Sequence, residues 1–116
     1  MNFSSDFDLN ELRFWHPQLL RVLIYLNIFC QEKGIALNLN SGLRPRYDGI
    51  SKSRTHAEGR AFDVKTVHWS KEQITEIVRY LQGFDRTEEI GAISEKHGGR
   101  RLAYFHKNHL HVQVSP

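Results

Sequence analysis

Two short segments concentrate the residue types that hold metals and move protons. The first is Arg54-Thr55-His56-Ala57-Glu58-Gly59-Arg60-Ala61-Phe62-Asp63; the second is His106-Lys107-Asn108-His109-Leu110-His111. Seven histidines in 116 residues is the one unusual count in the composition, and these segments hold most of them. In the first segment, Gly59 permits a tight backbone turn and Ala61 is small enough for close strand packing, so a loop His56 and a strand Asp63 can face one point. In the second, residues two apart on a strand share a face. His109 and His111 therefore project to one side, while Leu110 and Val112 project to the other, into the core. Two imidazoles and a carboxylate converging in a cleft make a three-ligand zinc site with one position left for water, the catalytic rather than the structural pattern of zinc binding.

The elements that must position these groups are legible around them. Pro17 to Lys33 reads as the main helix, with Pro17 suited to the first turn and Gly34 to the stop. Leu19, Leu20, Leu23, Leu26, Ile28 and Phe29 leave little of its surface polar, so deep burial is expected, with Cys30 a small core residue rather than a nucleophile. Ile35 to Asn40 alternates with period two, the mark of a half-buried strand, and Ser41-Gly42 ends it. Arg44 to Thr55 is rich in Gly, Pro, Ser and Arg and reads as a loop. Ala61 to Lys65 is a short strand. Ser70-Lys71-Glu72-Gln73 is a capping-box signature opening a helix to about Leu81, closed by Gly83. Glu89 to Ile93 reads as a strand, Gly98-Gly99 as a turn, and Leu102 to Phe105 with Leu110 to Val114 as a final strand pair across Lys107-Asn108. The first dozen residues read as a polar arm whose Phe3, Phe7 and Leu9 can pack against the body. The expected fold class is α+β, a small antiparallel sheet packed against helices, in a single domain spanning 1–116.

Composition narrows the function classes. A hydrophobic fraction of 40% and a charged fraction of 25% are those of an ordinary soluble globule. Net charge is +3, from 16 basic and 13 acidic residues, too mild a balance to point to nucleic acid. One cysteine excludes an internal disulfide framework and agrees with a reducing compartment. The apolar-rich stretch Leu19 to Cys30 is broken by Arg21 and Asn27, so no membrane span is expected. Acids near the N-terminus argue against a secretory signal.

The pattern His56-x-x-Gly59-x-Ala61-x-Asp63 followed by His109-x-His111 resembles the zinc peptidoglycan peptidases, the D-alanyl-D-alanine carboxypeptidases and L-alanyl-D-glutamate endopeptidases whose fold is shared with the hedgehog signalling domain. Ser41-Gly42-Leu43-Arg44 is similar to a Ser-Gly-x-Arg segment that this family often carries upstream. The resemblance runs from about Ser41 to Val114. It implies a hedgehog/DD-peptidase-like fold, Zn2+ as cofactor, and His56, Asp63 and His111 as metal ligands. Two positions depart from the family pattern. Arg54 stands where the family usually has a Ser, and Asn108 stands where one branch has a Glu acting as general base. The other branch has a His five residues before the last ligand, the place of His106.

By this resemblance the expected activity is hydrolysis of peptidoglycan stem or cross-link peptides, as a D,D-carboxypeptidase or, with slight preference, an endopeptidase. His106 and His109 are the expected proton-transfer pair, and Arg44 the clamp for a substrate carboxylate or oxyanion. A bacteriophage or prophage endolysin, a virion-borne domain or a cytoplasmic enzyme trimming wall fragments would each suit a chain without a signal peptide. The expected state is a monomer. The competing reading is a non-catalytic zinc-binding interaction module of the same fold. Outside the motifs, Arg60 is expected on the surface and Trp15 and Trp69 as packing residues at helix starts. His16, His68 and His97 are read as structural or solvent-facing, and Lys96 to Arg101 as a solvated turn.

Overall fold

The computed structural model describes residues 1–5, 7–41, 59–83, 103–106 and 109–114. The expected strand at Glu89 to Ile93, the turns at Gly98-Gly99 and Lys107-Asn108, and the loop Arg44 to Thr55 lie outside these residues, as does His97.

The main helix, α1, spans Pro17–Lys33. Its first turn is capped by His16, whose Nδ1 accepts the backbone N–H of Gln18 at 3.1 Å. It ends at Gly34, which takes the left-handed conformation at φ 68° and returns its N–H to carbonyls of the last turn. The burial of this helix is one-sided, where the sequence suggested burial all round. Leu19, Val22, Leu23, Leu26 and Cys30 form the inner stripe, while Ile24, Tyr25 and Ile28 are exposed. A helix lying on a sheet presents one stripe to it, whatever the hydropathy of its other face. The second helix, α2, spans Lys71–Gln82 and carries the expected capping box. The Gln73 N–H donates to Ser70 Oγ at 3.1 Å, and the Ser70 N–H donates to Gln73 Oε1 at 2.9 Å.

Among the described residues, five strands form one sheet: β1 (Asn2–Phe3), β2 (Asn38–Ser41), β3 (Ala61–Lys65), β4 (Ala103–His106) and β5 (His109–Gln113). Their spatial order is β1-β2-β3-β5-β4. The fold class is α+β as expected, but the sheet is mixed rather than wholly antiparallel. The β2, β3, β5 and β4 neighbours pair antiparallel, while β1 pairs parallel to β2. The polar arm thus contributes an edge strand, too short to show any alternation. It is followed by a 3-10 helix at Leu9–Phe14. Phe3 and Phe7 pack on the body as expected, but Leu9 is exposed.

The alternation of β3 and β5 separates two faces. Phe62 and Val64 on β3, with Leu110 and Val112 on β5, are fully buried and join one cluster with Leu39, the inner stripe of α1, and Ile77 and Leu81 of α2. Trp15 and Trp69 are packing residues, as the sequence suggests. The Trp15 indole stacks on Phe62 with centroids 5.4 Å apart and planes 7° apart, and its Nε1 donates to Glu11 Oε1 at 3.1 Å. The Trp69 Nε1 donates to the Ala36 carbonyl at 2.7 Å. Among the described residues, no helix is long and apolar enough to cross a membrane.

Candidate metal centre

Asp63 and His111 are directly opposite one another across the antiparallel pair β3–β5. Phe62 and Val64 commit β3 to the core, so Asp63 between them points to the other face. Leu110 and Val112 do the same for His111. Both are nonetheless buried, at 2% and 6% exposure. His111 Nδ1 stands 3.1 Å from Asp63 Oδ1. A carboxylate and an imidazole seldom lie this deep unless each satisfies the other or both serve a bound ion.

Two bonds align this register. The Val114 N–H donates to the Arg60 carbonyl at 2.9 Å, and Arg60 Nη1 donates to the Val114 carbonyl at 2.9 Å. Arg60 is therefore buried, at 6% exposure, rather than on the surface as expected. Its guanidinium terminates the β3–β5 ladder, a role set by a strand 54 residues away and invisible in the local sequence. Just before it, Gly59 adopts φ +70°, and a Cβ there would lie 2.6 Å from the Phe14 carbonyl oxygen. The Gly59 carbonyl accepts the His16 N–H at 2.8 Å. The expected need for glycine in this motif is therefore met twice, by conformation and by closeness to the turn entering α1.

His109 is partly buried and lies on β5 two residues from His111, so it shares that face. It is in register with Lys65 on one side and with His106 of β4 on the other. The register thus brings His106 and His109 opposite each other, beside the Asp63–His111 pair. His56 and Arg44 lie outside the described residues. Among the described residues, no group of three or more His, Cys, Asp and Glu side chains is placed to hold a metal ion.

The two expected ligands that are described are a carboxylate and an imidazole, donor types that zinc takes. Their 3.1 Å separation is that of a hydrogen bond between them, below the ~3.3–3.6 Å that two donors on one tetrahedral zinc would keep.

One residue at this site carries no motif signal. Gln113 is 3% exposed, in register with Ala61, and its Oε1 lies 2.9 Å from His111 Nε2. Its Nε2 has no hydrogen-bond partner among the described residues. A glutamine two positions past a candidate ligand, on the same strand face, is the signal that could have singled it out.

Cys30 is a core residue, as expected. It is buried, and that burial raises its thiol pKa to about 11. His16 serves as a helix cap, and His68 is exposed. No family model, curated protein or solved structure matches the chain.

Proposed function

We propose that this chain is a zinc-dependent peptidase acting on peptidoglycan stem or cross-link peptides, with the hedgehog/DD-peptidase-like fold that its motifs resemble. The observation that carries this reading is the buried Asp63–His111 pair, whose facing donor atoms are 3.1 Å apart on adjacent central strands. The two residues come from the two motif halves, 48 positions apart in the chain.

In this reading His56, Asp63 and His111 hold the metal. Zinc, when bound, supplies Lewis-acid polarisation of the scissile carbonyl and a water acidified to a pKa of ~7. The remaining work belongs to side chains. His109, on the same strand face as His111 and only partly buried, accepts the proton released as water adds to the carbonyl, then delivers it to the leaving amine as the C–N bond breaks. His106, its register partner, orients it or shares the transfer. Arg44 grips a substrate carboxylate, which stem peptides supply. A phage or prophage endolysin, or a cytoplasmic enzyme trimming wall fragments, is the setting proposed for a monomer of this kind.

The test is digestion of purified cell wall, with new amino termini and muropeptide masses read with and without chelator. Chelator-sensitive release supports a peptidase, and the masses identify the bond cut. Stoichiometric zinc with no release across several wall chemotypes would instead make the chain a non-catalytic zinc module. Full zinc content in both His56→Ala and His111→Ala would remove the ligand assignment.

A further inference from the structure

We propose that the pocket beside Lys65 is an anion subsite for the substrate: it takes a carboxylate about two residues from the scissile bond and so selects stem peptides whose third residue is a diamino acid with a free distal carboxylate. This rests on the peptidase reading above and concerns residues that neither motif contains.

The pocket, of about 200 Å³, is lined by Phe3, Ser4, Asn38, Leu39, Lys65 and His68. Those residues come from β1 and the arm, from β2, and from the end of β3 with the turn that follows it. The arm is fastened to β2 by three bonds. The Asn2 N–H donates to the Leu37 carbonyl at 2.7 Å, the Ser4 N–H to the Leu39 carbonyl at 2.9 Å, and Ser4 Oγ to the Asn40 carbonyl at 2.9 Å. The turn that carries His68 is held at its next residue, where the Trp69 N–H donates to the Thr66 carbonyl at 2.9 Å and Trp69 Nε1 to the Ala36 carbonyl at 2.7 Å. Both walls are therefore set by bonds to the main chain, independently of what the pocket holds.

None of the six lining residues is acidic, and Lys65 and His68 are both exposed. Among the described residues, no carboxylate is paired with Lys65. The Lys65 ammonium, the Asn38 amide and an N–H of the His68 ring are donors, while Phe3 and Leu39 offer apolar surface. A carboxylate on a short aliphatic chain matches that set.

Lys65 follows Asp63 by two positions on β3, so its side chain leaves the same face about 7 Å further along. It is also the register partner of His109. The pocket thus opens beside the proposed proton carrier, offset from the metal pair by the length of two extended residues. A five-residue stem peptide can be cut after its first residue or before its last. In both cases its third residue is the second from the cut. Walls differ in chemistry there. Diaminopimelate ends in a carboxylate beside its amine, whereas lysine ends in an ammonium alone, which Lys65 repels.

The experiment uses the zinc-loaded full chain and two synthetic pentapeptides, alanyl-γ-glutamyl-X-alanyl-alanine, with X diaminopimelate or lysine. Each contains both candidate bonds. Wild type should cut the diaminopimelate peptide with kcat/KM ~5-fold higher, the scale of one exposed ion pair, mainly through KM. Lys65→Gln should erase the preference and Lys65→Arg should keep it. No preference in wild type, or one that survives Lys65→Gln, overturns the inference and leaves the peptidase reading standing. An equal loss on both peptides in Lys65→Gln also overturns it, because a general disturbance of the fold would give that result. If neither peptide is cut, the peptidase reading fails and binding decides the subsite, from nitrogen-15 spectra of wild-type protein titrated with each peptide. The same titration decides if Lys65→Gln does not fold. Shifts at Ser4, Asn38, Lys65 and His68 with the diaminopimelate peptide alone support the subsite. No shifts there, or equal shifts with both peptides, overturn it.

Discussion

The indole of Trp15 lies flat on the ring of Phe62, and Phe62 immediately precedes Asp63. Planes 7° apart at a centroid spacing of 5.4 Å place the segment entering α1 directly on the strand that carries a candidate ligand. The Phe7 ring meets the Trp15 indole edge-on, with centroids 6.1 Å apart, so the N-terminal arm contributes to the same cluster. The chain before α1 is therefore part of the support of the site.

Replacing Trp15 by Ala should cost about 3–5 kcal/mol of stability, the range for removing a large buried aromatic, read from urea unfolding. Because the lost contact lies behind Asp63, zinc affinity should fall in the same variant under conditions where it stays folded. A loss of stability with affinity unchanged would separate the stack from the site.

Gly59 and Gly34 both have φ near +70°, but their surroundings differ. At Gly34 a Cβ meets nothing within 4 Å, so Gly34→Ala should lose only the left-handed penalty of ~1–2 kcal/mol. At Gly59 the same atom would sit 2.6 Å from the Phe14 carbonyl oxygen, so Gly59→Ala must add a backbone shift to that penalty. Thermal melts of the two variants side by side check this, with Gly59→Ala the less stable.

Substituting His109 by Ala should lower kcat by ~10²–10⁴ while the zinc content stays at the wild-type level, as expected of a proton carrier that is not a ligand. His111→Ala should remove both zinc and activity. Metal analysis alongside wall digestion distinguishes the two. Zinc loss in His109→Ala would make it a ligand in place of, or alongside, His111.

Burial raises the Cys30 thiol from its ordinary 9.0 to about 11. The native thiol should therefore resist alkylation at neutral pH and react once the chain is unfolded. The linkage has a definite sign: below pH 9 both states hold the proton and stability is unaffected. Between about 9 and 11 the unfolded chain releases it first and stability falls. Cys30→Ser is a poor control, since it buries a hydroxyl. Cys30→Ala should flatten the alkaline loss, measured as unfolding free energy against pH.

Much of this architecture can be read from local patterns. Pro17, Gly34, the Ser70–Gln73 box and the short strand segment Ala61 to Lys65 each act through their own backbone neighbourhood, and the elements they mark occur where the sequence places them. What was hidden depends on partners distant in the chain. Arg60 looks like a surface cation until Val114 lies beside it. The exposed face of α1 looks like core because hydropathy does not record which side meets the sheet. Asn2 and Phe3 are too few to show a strand period, and only β2 makes them one. At the site, Asp63 and His111 stand out by residue type and spacing. Gln113 does not, because a glutamine becomes informative only once its amide is seen against an imidazole.

The strand order β1-β2-β3-β5-β4 gives both β3 and β5 a neighbour on each side. Amides flanking Asp63 and His111 should then exchange their hydrogens only when the whole molecule opens, rather than by fraying at an edge. If the proposed ion is held between these strands, it adds to the free energy of global unfolding an amount that grows with the logarithm of its free concentration once that exceeds its dissociation constant.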